Sequence, residues 1–290
     1  MENYNNTCKI AILLSTYNGE RYLPELLDSI LSQKYQDFRV YVRDDGSSDQ
    51  TMTILKRYCS LTDKIILLES NENMGATRSF LSLLDCVESQ YYMFCDQDDV
   101  WHDYKVGDTY AHMVQQEQGS PNVPIIVYTD LSAVDANLDV VIESMWEFRG
   151  HQELLPHSYH YLCHYNDMDG CTMMMNNLAK RTVDRNINQI PGFVYHDWFI
   201  ALSASSEGGV IVPFPEVTMK FRRHGNNETS PTAKKRSVIV QPYRFLSFIQ
   251  EQYDRYLFCL KIRKGSIFSF FFYKIAYVIL REFNSIKKHE

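Results

Sequence analysis

Gln90-Tyr91-Tyr92-Met93-Phe94-Cys95-Asp96-Gln97-Asp98-Asp99-Val100-Trp101 is a short apolar run that stops at three carboxylates. The five residues Tyr91 to Cys95 have the length and composition of a strand buried on both faces. A strand that ends in Asp-Gln-Asp-Asp puts negative charge at the carboxyl edge of a sheet, where open α/β folds bind ligands. Carboxylates this close repel one another, so the cluster calls for a positive partner. A hard divalent cation with oxygen ligands, bridging to substrate phosphates, suits it. Asp clusters also form solvated turns ahead of helices. The apolar strand feeding this one favours a functional edge.

Working outward, the same pattern recurs. Lys9 to Leu14 is an apolar strand followed by Ser15-Thr16-Tyr17-Asn18-Gly19-Glu20, and Leu23, Leu26, Leu27, Ile30 and Leu31 then repeat at helical spacing. Phe38 to Val42 runs into Arg43-Asp44-Asp45-Gly46-Ser47-Ser48-Asp49, whose short polar residues cap a helix around 51–58. Ile65 to Leu68 is a third strand, Asn73-Met74-Gly75 a turn, and 77–84 a third helix. Strands alternating with helices at these intervals imply a mostly parallel central sheet with right-handed crossovers, so the strand ends converge on one crevice. Three of the converging loops carry ligand-type side chains.

Further along, 105–117 reads as a helix ended by Gly119-Ser120-Pro121, and 125–128 as a strand. The segment 145–165 is aromatic and His-rich without a clean period, which suggests a long surface loop or lid. Residues 170–175 read as a strand, His196 to Ala204 as the start of a helix, and 210–212 and 217–221 as two short strands. The helical segments 244–262 and 267–280 close the chain.

The chain of 290 residues is 45% hydrophobic, enough for a large folded domain with an appendage. Its seven cysteines are dispersed, with no C-x-x-C pair, which argues against a zinc site or a disulfide framework and for a reduced, cytosolic compartment. The net charge of −7 is uneven: +8 from Thr232 onward and −15 before it. The expected organisation is a catalytic domain over 1–231 and a basic, aromatic helical extension over 232–290. An acidic body disfavours nucleic-acid binding, which needs clustered Lys and Arg. The apolar run 267–280 is shorter than the ~20 residues of a spanning helix. Aromatics between basic flanks suit a helix lying in an anionic membrane interface. Packing on the core, or on a second subunit in a homodimer, is the competing expectation.

Ser15-Thr16-Tyr17-Asn18-Gly19, Asp44-Asp45-Gly46-Ser47-Ser48-Asp49, Asn73-Met74-Gly75 and Asp96-Gln97-Asp98-Asp99-Val100-Trp101 follow in order, with His196-Asp197-Trp198 and Arg223-His224-Gly225-Asn226-Asn227 after them. Together they resemble family 2 glycosyltransferases of the GT-A fold, in the bacterial rhamnosyltransferase-like branch, over roughly residues 8–228. The resemblance implies a Rossmann-like α/β domain. It also implies an inverting, Mn²⁺- or Mg²⁺-dependent transfer of a sugar from a dTDP- or UDP-linked donor to a glycan hydroxyl. Carried over by position, Thr16, Tyr17, Asn18, Glu20, Asp44, Asp45, Arg78, Asp96 and Gln97 fall on the donor side. Asp96, Asp98 and His224 are the implied metal ligands and Asp197 the catalytic base. Trp101, Gly170, Cys171, His196 and Trp198 fall on the acceptor and sugar side. Two departures stand out. His196 replaces the acidic residue that usually precedes the base, and the extra Asp99 leaves open which two carboxylates hold the metal.

On chemical grounds Asp197 would take the acceptor proton, with Asp169 or Asp167 next in line, and it equally suits the N-terminus of its helix. Trp101 and Trp198 offer flat faces for a sugar or for packing. A nucleotidyltransferase would also want acidic ligands, but with a basic Gly-rich loop after the first strand, where only Arg21 is found here. A non-catalytic carbohydrate-binding protein would need neither the carboxylates nor Asp197. The basic tail suggests a lipid-linked glycan acceptor in capsule, O-antigen or cell-wall polysaccharide assembly, at the inner face of the membrane.

Overall fold

The structure is a computed structural model and describes residues 4–5, 8–70, 72–150, 157–187, 190–191, 194–224 and 242–287. In chain order the strands are β1 (Tyr4–Asn5), β2 (Ile10–Thr16), β3 (Phe38–Asp44), β4 (Ile65–Leu68), β5 (Val87–Glu88), β6 (Tyr91–Asp96), β7 (Val100–Trp101), β8 (Ile125–Val134), β9 (Val140–Ile142), β10 (Met173–Asn176) and β11 (Val210–Arg222). The helices are α1 (Leu23–Leu31), α2 (Thr51–Leu61), α3 (Ala76–Cys86), α4 (Lys105–Gly119), α5 (Met145–Arg149), α6 (Tyr159–Leu162), α7 (Asn177–Asn186), α8 (His196–Ser206), α9 (Pro242–Ile262) and α10 (Ile267–Lys287).

The main sheet runs β4-β3-β2-β6-β10-β8-β11-β7, with β9 paired to β8 and a separate parallel contact between β1 and β5. The first four strands are parallel, as their βα alternation requires. Strand β10 enters antiparallel between β6 and β8, and β11 runs parallel to β8. Side chains alternate across a strand, and here both faces are buried. Ala11, Leu13, Tyr92 and Phe94 join one core, with Phe80, Val183 and Phe199 from α3, α7 and α8. Ile10, Ile12, Leu14, Met93 and Cys95 join the other, with Leu27, Leu55 and Met113 from α1, α2 and α4. Helix α1 shows the logic on a small scale. Leu23, Leu26, Leu27 and Ile30 fall on one stripe and are fully buried, and Pro24 starts the helix where no N–H partner is needed.

Two expectations change. Residues 210–212 and 217–221 belong to one long strand, β11, whose register shifts between Phe214 and Val217 and again before Lys220. Pro213 and Pro215 lack an N–H, which accounts for a continuous strand that reads as two. Residues 145–165 contain α5 and α6. Ser144 caps α5 by accepting from the Glu147 N–H, Gly150 closes it at φ 64°, and Ser158 caps α6.

The closing helices pack on α6 and α8. Phe258, Cys259, Phe270 and Tyr277 are buried in the first core, and the Tyr159 hydroxyl donates to the Cys259 carbonyl at 2.6 Å. The expected boundary near 231 lies outside the described residues. None of the helices, among the described residues, is long and apolar enough to cross a membrane.

Candidate active site

The loops after β2, β3 and β6 meet because their own polar groups stitch them together. Asn18, at φ 47°, donates its backbone N–H to Ser47 and accepts from the Ser48 N–H through its side chain. The Gln97 carboxamide takes both backbone groups of Tyr17, accepting from its N–H at 2.8 Å and donating to its carbonyl at 2.9 Å. A Cβ at Gly19 would collide with that carboxamide, so glycine is needed there. Asp45 accepts from the Met74 and Gly75 N–H groups and pairs with buried Arg43, which ties the loop after β3 to the start of α3.

These loops and the segments leading into β10 and α8 enclose a cavity of about 1030 Å³. Of the donor-side residues, Tyr17, Asn18, Asp45, Asp96 and Gln97 line it, as do Asp98 and His224. Of the residues expected on the acceptor side, Gly170, Cys171 and His196 line it, and so does Asp197. Six others are not brought there. Thr16 and Asp44 are buried one layer back, Thr16 donating to Asp44, which also accepts from the Ser47 N–H and hydroxyl. The Glu20 carboxylate accepts from the Gln50 N–H. Arg78 is exposed and off the cavity. Trp101 is 3% exposed in the second core, where β7 pairs with β11 and Lys105 sits over its ring. Trp198 is buried against Phe258 and donates its ring N–H to the Leu162 carbonyl. The two aromatic faces expected for sugar stacking are therefore covered by protein.

The residues of the acidic turn have different partners. Asp98 meets His224 Nε2 at 2.7 Å through Oδ2. Asp99 is fully buried and accepts from the Arg222 N–H, with Oδ2 lacking a hydrogen-bond partner. Burial, then Asp98 and Asp96, hold its carboxyl well above the ordinary range. The Arg222 side chain organises the turn from behind, donating to the Asp98 and Ala136 carbonyls, pairing with Glu25 and stacking on Tyr22.

Two donor sets for a divalent cation share Asp96. The atoms that converge most tightly are from Asp96, Asp99 and Cys171, within 4.8 Å. Burial keeps the Cys171 thiol protonated by pushing it far up, and a soft sulfur suits a hard cation poorly. Asp98 and His224 line the cavity and carry oxygen and imidazole donors, so by donor chemistry Asp96, Asp98 and His224 suit Mn²⁺ better, although they converge less tightly than the first set.

Across the same cavity Asp197 opens α8, with Oδ1 accepting from the Trp198 N–H at 2.5 Å. Burial, outweighing that hydrogen bond, raises its carboxyl to about 7, and Asp169 adds to the rise. His196 beside it is stacked on Phe80 at 4.3 Å and pushed down to about 3 by burial, so its imidazole is neutral. Gly170 makes room for it, since a Cβ there would lie 2.5 Å from His196 Nε2. The alternative bases are engaged: Asp169 is held by both terminal nitrogens of Arg149, and Asp167 accepts from the Tyr161 hydroxyl. Arg149 and Asn166 also line the cavity and carry no sequence motif. The Ser144-x-x-Glu147 capping box ahead of Arg149 is the signal that locates its helix.

The Glycosyl transferase family 2 profile matches residues 11–176, more than half of the chain. The chain belongs to this family. Within glycosyl transferase family 2 it is similar to the dTDP-rhamnosyl transferase RfbG of Shigella flexneri, at 27% identity over 74% of this chain and 73% of that one. It also resembles an uncharacterized glycosyltransferase of Haemophilus influenzae, at 24% identity over 78% and 71%. The GT-A-like fold is shared with S. aureus TarS 1-349 in complex with UDP-GlcNAc, at TM-score 0.59 and 18% identity. The match covers 85% of this chain and 66% of the TarS 1-349 chain, just under two thirds of its length. A mannosyltransferase from Pyrobaculum calidifontis, in complex with GDP-Man and Mn²⁺, matches at TM-score 0.55 and 18% identity over 78% and 61%.

Proposed function

We propose that this family 2 glycosyltransferase transfers a sugar, with inversion, from a nucleoside-diphosphate sugar to a hydroxyl of a glycan acceptor. The observation that carries the reading is one cavity lined both by Asp197, with its carboxyl raised to about 7, and by Asp96, Asp98 and His224. A base near neutrality and an anion-holding group at one reacting centre are what direct displacement needs.

Asp197, deprotonated, takes the proton of the acceptor hydroxyl as that oxygen attacks the anomeric carbon. The bond to the diphosphate oxygen breaks on the opposite face, and the proton remains on Asp197. Asp96, Asp98 and His224 would hold a divalent cation on the diphosphate side, while Tyr17, Asn18 and Asp45 border the nucleoside. A divalent cation, when bound, supplies charge neutralisation for the departing diphosphate. The neutral His196 imidazole borders the acceptor without adding charge beside the base. The relative named for dTDP-rhamnose and the neighbour bound to UDP-GlcNAc support a dTDP-rhamnose or UDP-hexose donor. The acceptor is a lipid-linked glycan of polysaccharide assembly, met at the inner membrane surface, and residues 232–290 form the extension that brings the catalytic domain there.

The test is a panel of nucleotide sugars with the purified chain, with Mn²⁺, Mg²⁺ or EDTA, read by nucleotide release and thermal stabilisation. Metal-dependent stabilisation by one nucleotide is expected. No response to any nucleotide with either metal overturns the reading.

A further inference from the structure

A second cavity, of about 220 Å³, lies where α6 meets the turn between α9 and α10. That space equals about seven waters at liquid density, enough for a phosphate group and part of its ester. Its lining includes His160, His164, Arg263, Lys264, Ser266 and Ser269. The turn also opens α10, a helix of 21 residues, with Ser266 accepting from the Phe268 N–H, so the positive end of a long helix points there. The decisive side chain is His164. It is 8% exposed, edge-on to Phe270 at 4.3 Å, and neither ring nitrogen has a hydrogen-bond partner. Burial, then Lys274, Arg255 and His160, push its pKa down to about 4, and the nearby Phe270 backbone opposes this without hydrogen-bond geometry. The pocket thus gathers cations around a buried, neutral imidazole. Arg255 is engaged with the His164 carbonyl and Glu251, and Lys274 with Gln252, while Arg263 and Lys264 stand exposed at the rim.

Beside the pocket, Phe268, Phe272, Ile275 and Ile279 recur every three to four residues along α10 and are 85%, 67%, 63% and 52% exposed. An apolar stripe next to exposed cations matches an anionic lipid surface in both hydrophobicity and charge.

We propose that this cavity binds the headgroup phosphate of an anionic phospholipid, seated between His164, Arg263, Lys264 and the start of α10 while the Phe268–Ile279 stripe enters the lipid interface. The inference rests on the reading of the C-terminal extension as a membrane contact and specifies the lipid that contact selects. The test is flotation of the full chain with vesicles of phosphatidylcholine alone or mixed with phosphatidylglycerol, alongside thermal stabilisation by inorganic phosphate. The parent chain should favour the phosphatidylglycerol vesicles. Arg263→Ala with Lys264→Ala, both exposed, should weaken that binding about thirty-fold, and His164→Leu should lose the preference for the anionic lipid. Phe268→Ser with Phe272→Ser should reduce binding to both vesicles. If the parent floats with neither vesicle, the membrane reading falls and this proposal with it. Equal flotation of parent, His164→Leu and the Arg263/Lys264 variant overturns the pocket alone. Stabilisation by inorganic phosphate without flotation overturns the lipid as its source.

Discussion

Asp197→Asn should make the protein more stable and less active, and the stability gain should depend on pH. The folded carboxyl titrates near 7 and the ordinary value is 3.8. Above pH 7 the folded chain must hold a buried charge that the unfolded chain holds in water. The unfolded state then binds fewer protons between these values, so stability is full below pH 3.8 and is lost as pH rises to about 7. The ceiling on that loss is about 4 kcal/mol, at 1.36 kcal/mol per pKa unit. Asparagine keeps an oxygen for the Trp198 N–H, so the variant sheds the penalty without losing the helix contact. Melting curves of both chains should coincide near pH 4, diverge up to pH 7 and stay apart above it, at about 2–4 °C per kcal/mol. Nucleotide release in the presence of acceptor should fall about 10²–10⁴-fold in the variant. In the parent the rate should rise with pH through about 7, because only the deprotonated carboxyl accepts a proton. A melting gap independent of pH would refute the buried-charge argument. An unchanged rate would move the base elsewhere.

Gly170→Ala should press on His196, which has Phe80 behind it, costing about 1–3 kcal/mol by overpacking; denaturant melts measure this, and kcat should fall more than donor KM changes. Asp98→Asn should remove Mn²⁺-dependent stabilisation by nucleotide, whereas Asp99→Asn, at a carboxyl already held protonated, should keep it; the reverse result would place the metal on the buried set. Arg222→Met should cost about 3 kcal/mol or more in urea unfolding, since the Asp98 and Ala136 carbonyls lose their donor.

The parallel quartet was legible because β2, β3, β4 and β6 are short apolar runs, each separated by a helical stripe or polar turn. Those signals are local. What escaped was non-local. Trp101 and Trp198 read as possible sugar platforms, but Trp101 is buried in the second core with Lys105 over its ring, and Trp198 packs on Phe258 of α9, sixty residues away in sequence. Thr16 and Asp44 read as donor-side residues, and the structure shows them buried and bonded to each other, outside the cavity lining. Arg222, between the expected strand 217–221 and the Arg223 motif, carries no signal of its own and is 1% exposed, a role that only its carbonyl and Glu25 partners reveal. Arg149 escaped because an aromatic segment without period hides a helix of five residues, too short for periodicity to register.

The sharpest physical question is how one small site keeps carboxyls in two states. Asp197 and the Asp96–Asp99 turn line or back the same cavity, and repulsion among the turn's own carboxyls alone would drive proton uptake there. The turn limits this by giving its side chains different partners. Gln97, uncharged, is spent on the Tyr17 backbone, Asp98 meets His224, and Asp99 retreats into the core and keeps its proton. Asp96 and Asp98 are then the turn's carboxylates exposed to the cavity, beside an imidazole. Asp197 is separated from them by environment: its neighbour His196 is neutral, Arg149 is already committed to Asp169, and burial dominates its titration. In the proposed reaction, carboxyls pushed apart in this way divide cation-holding from proton-accepting. The fourth residue of the turn serves that division by being buried and protonated, because a charge at 99 would be a third carboxylate beside Asp96 and Asp98.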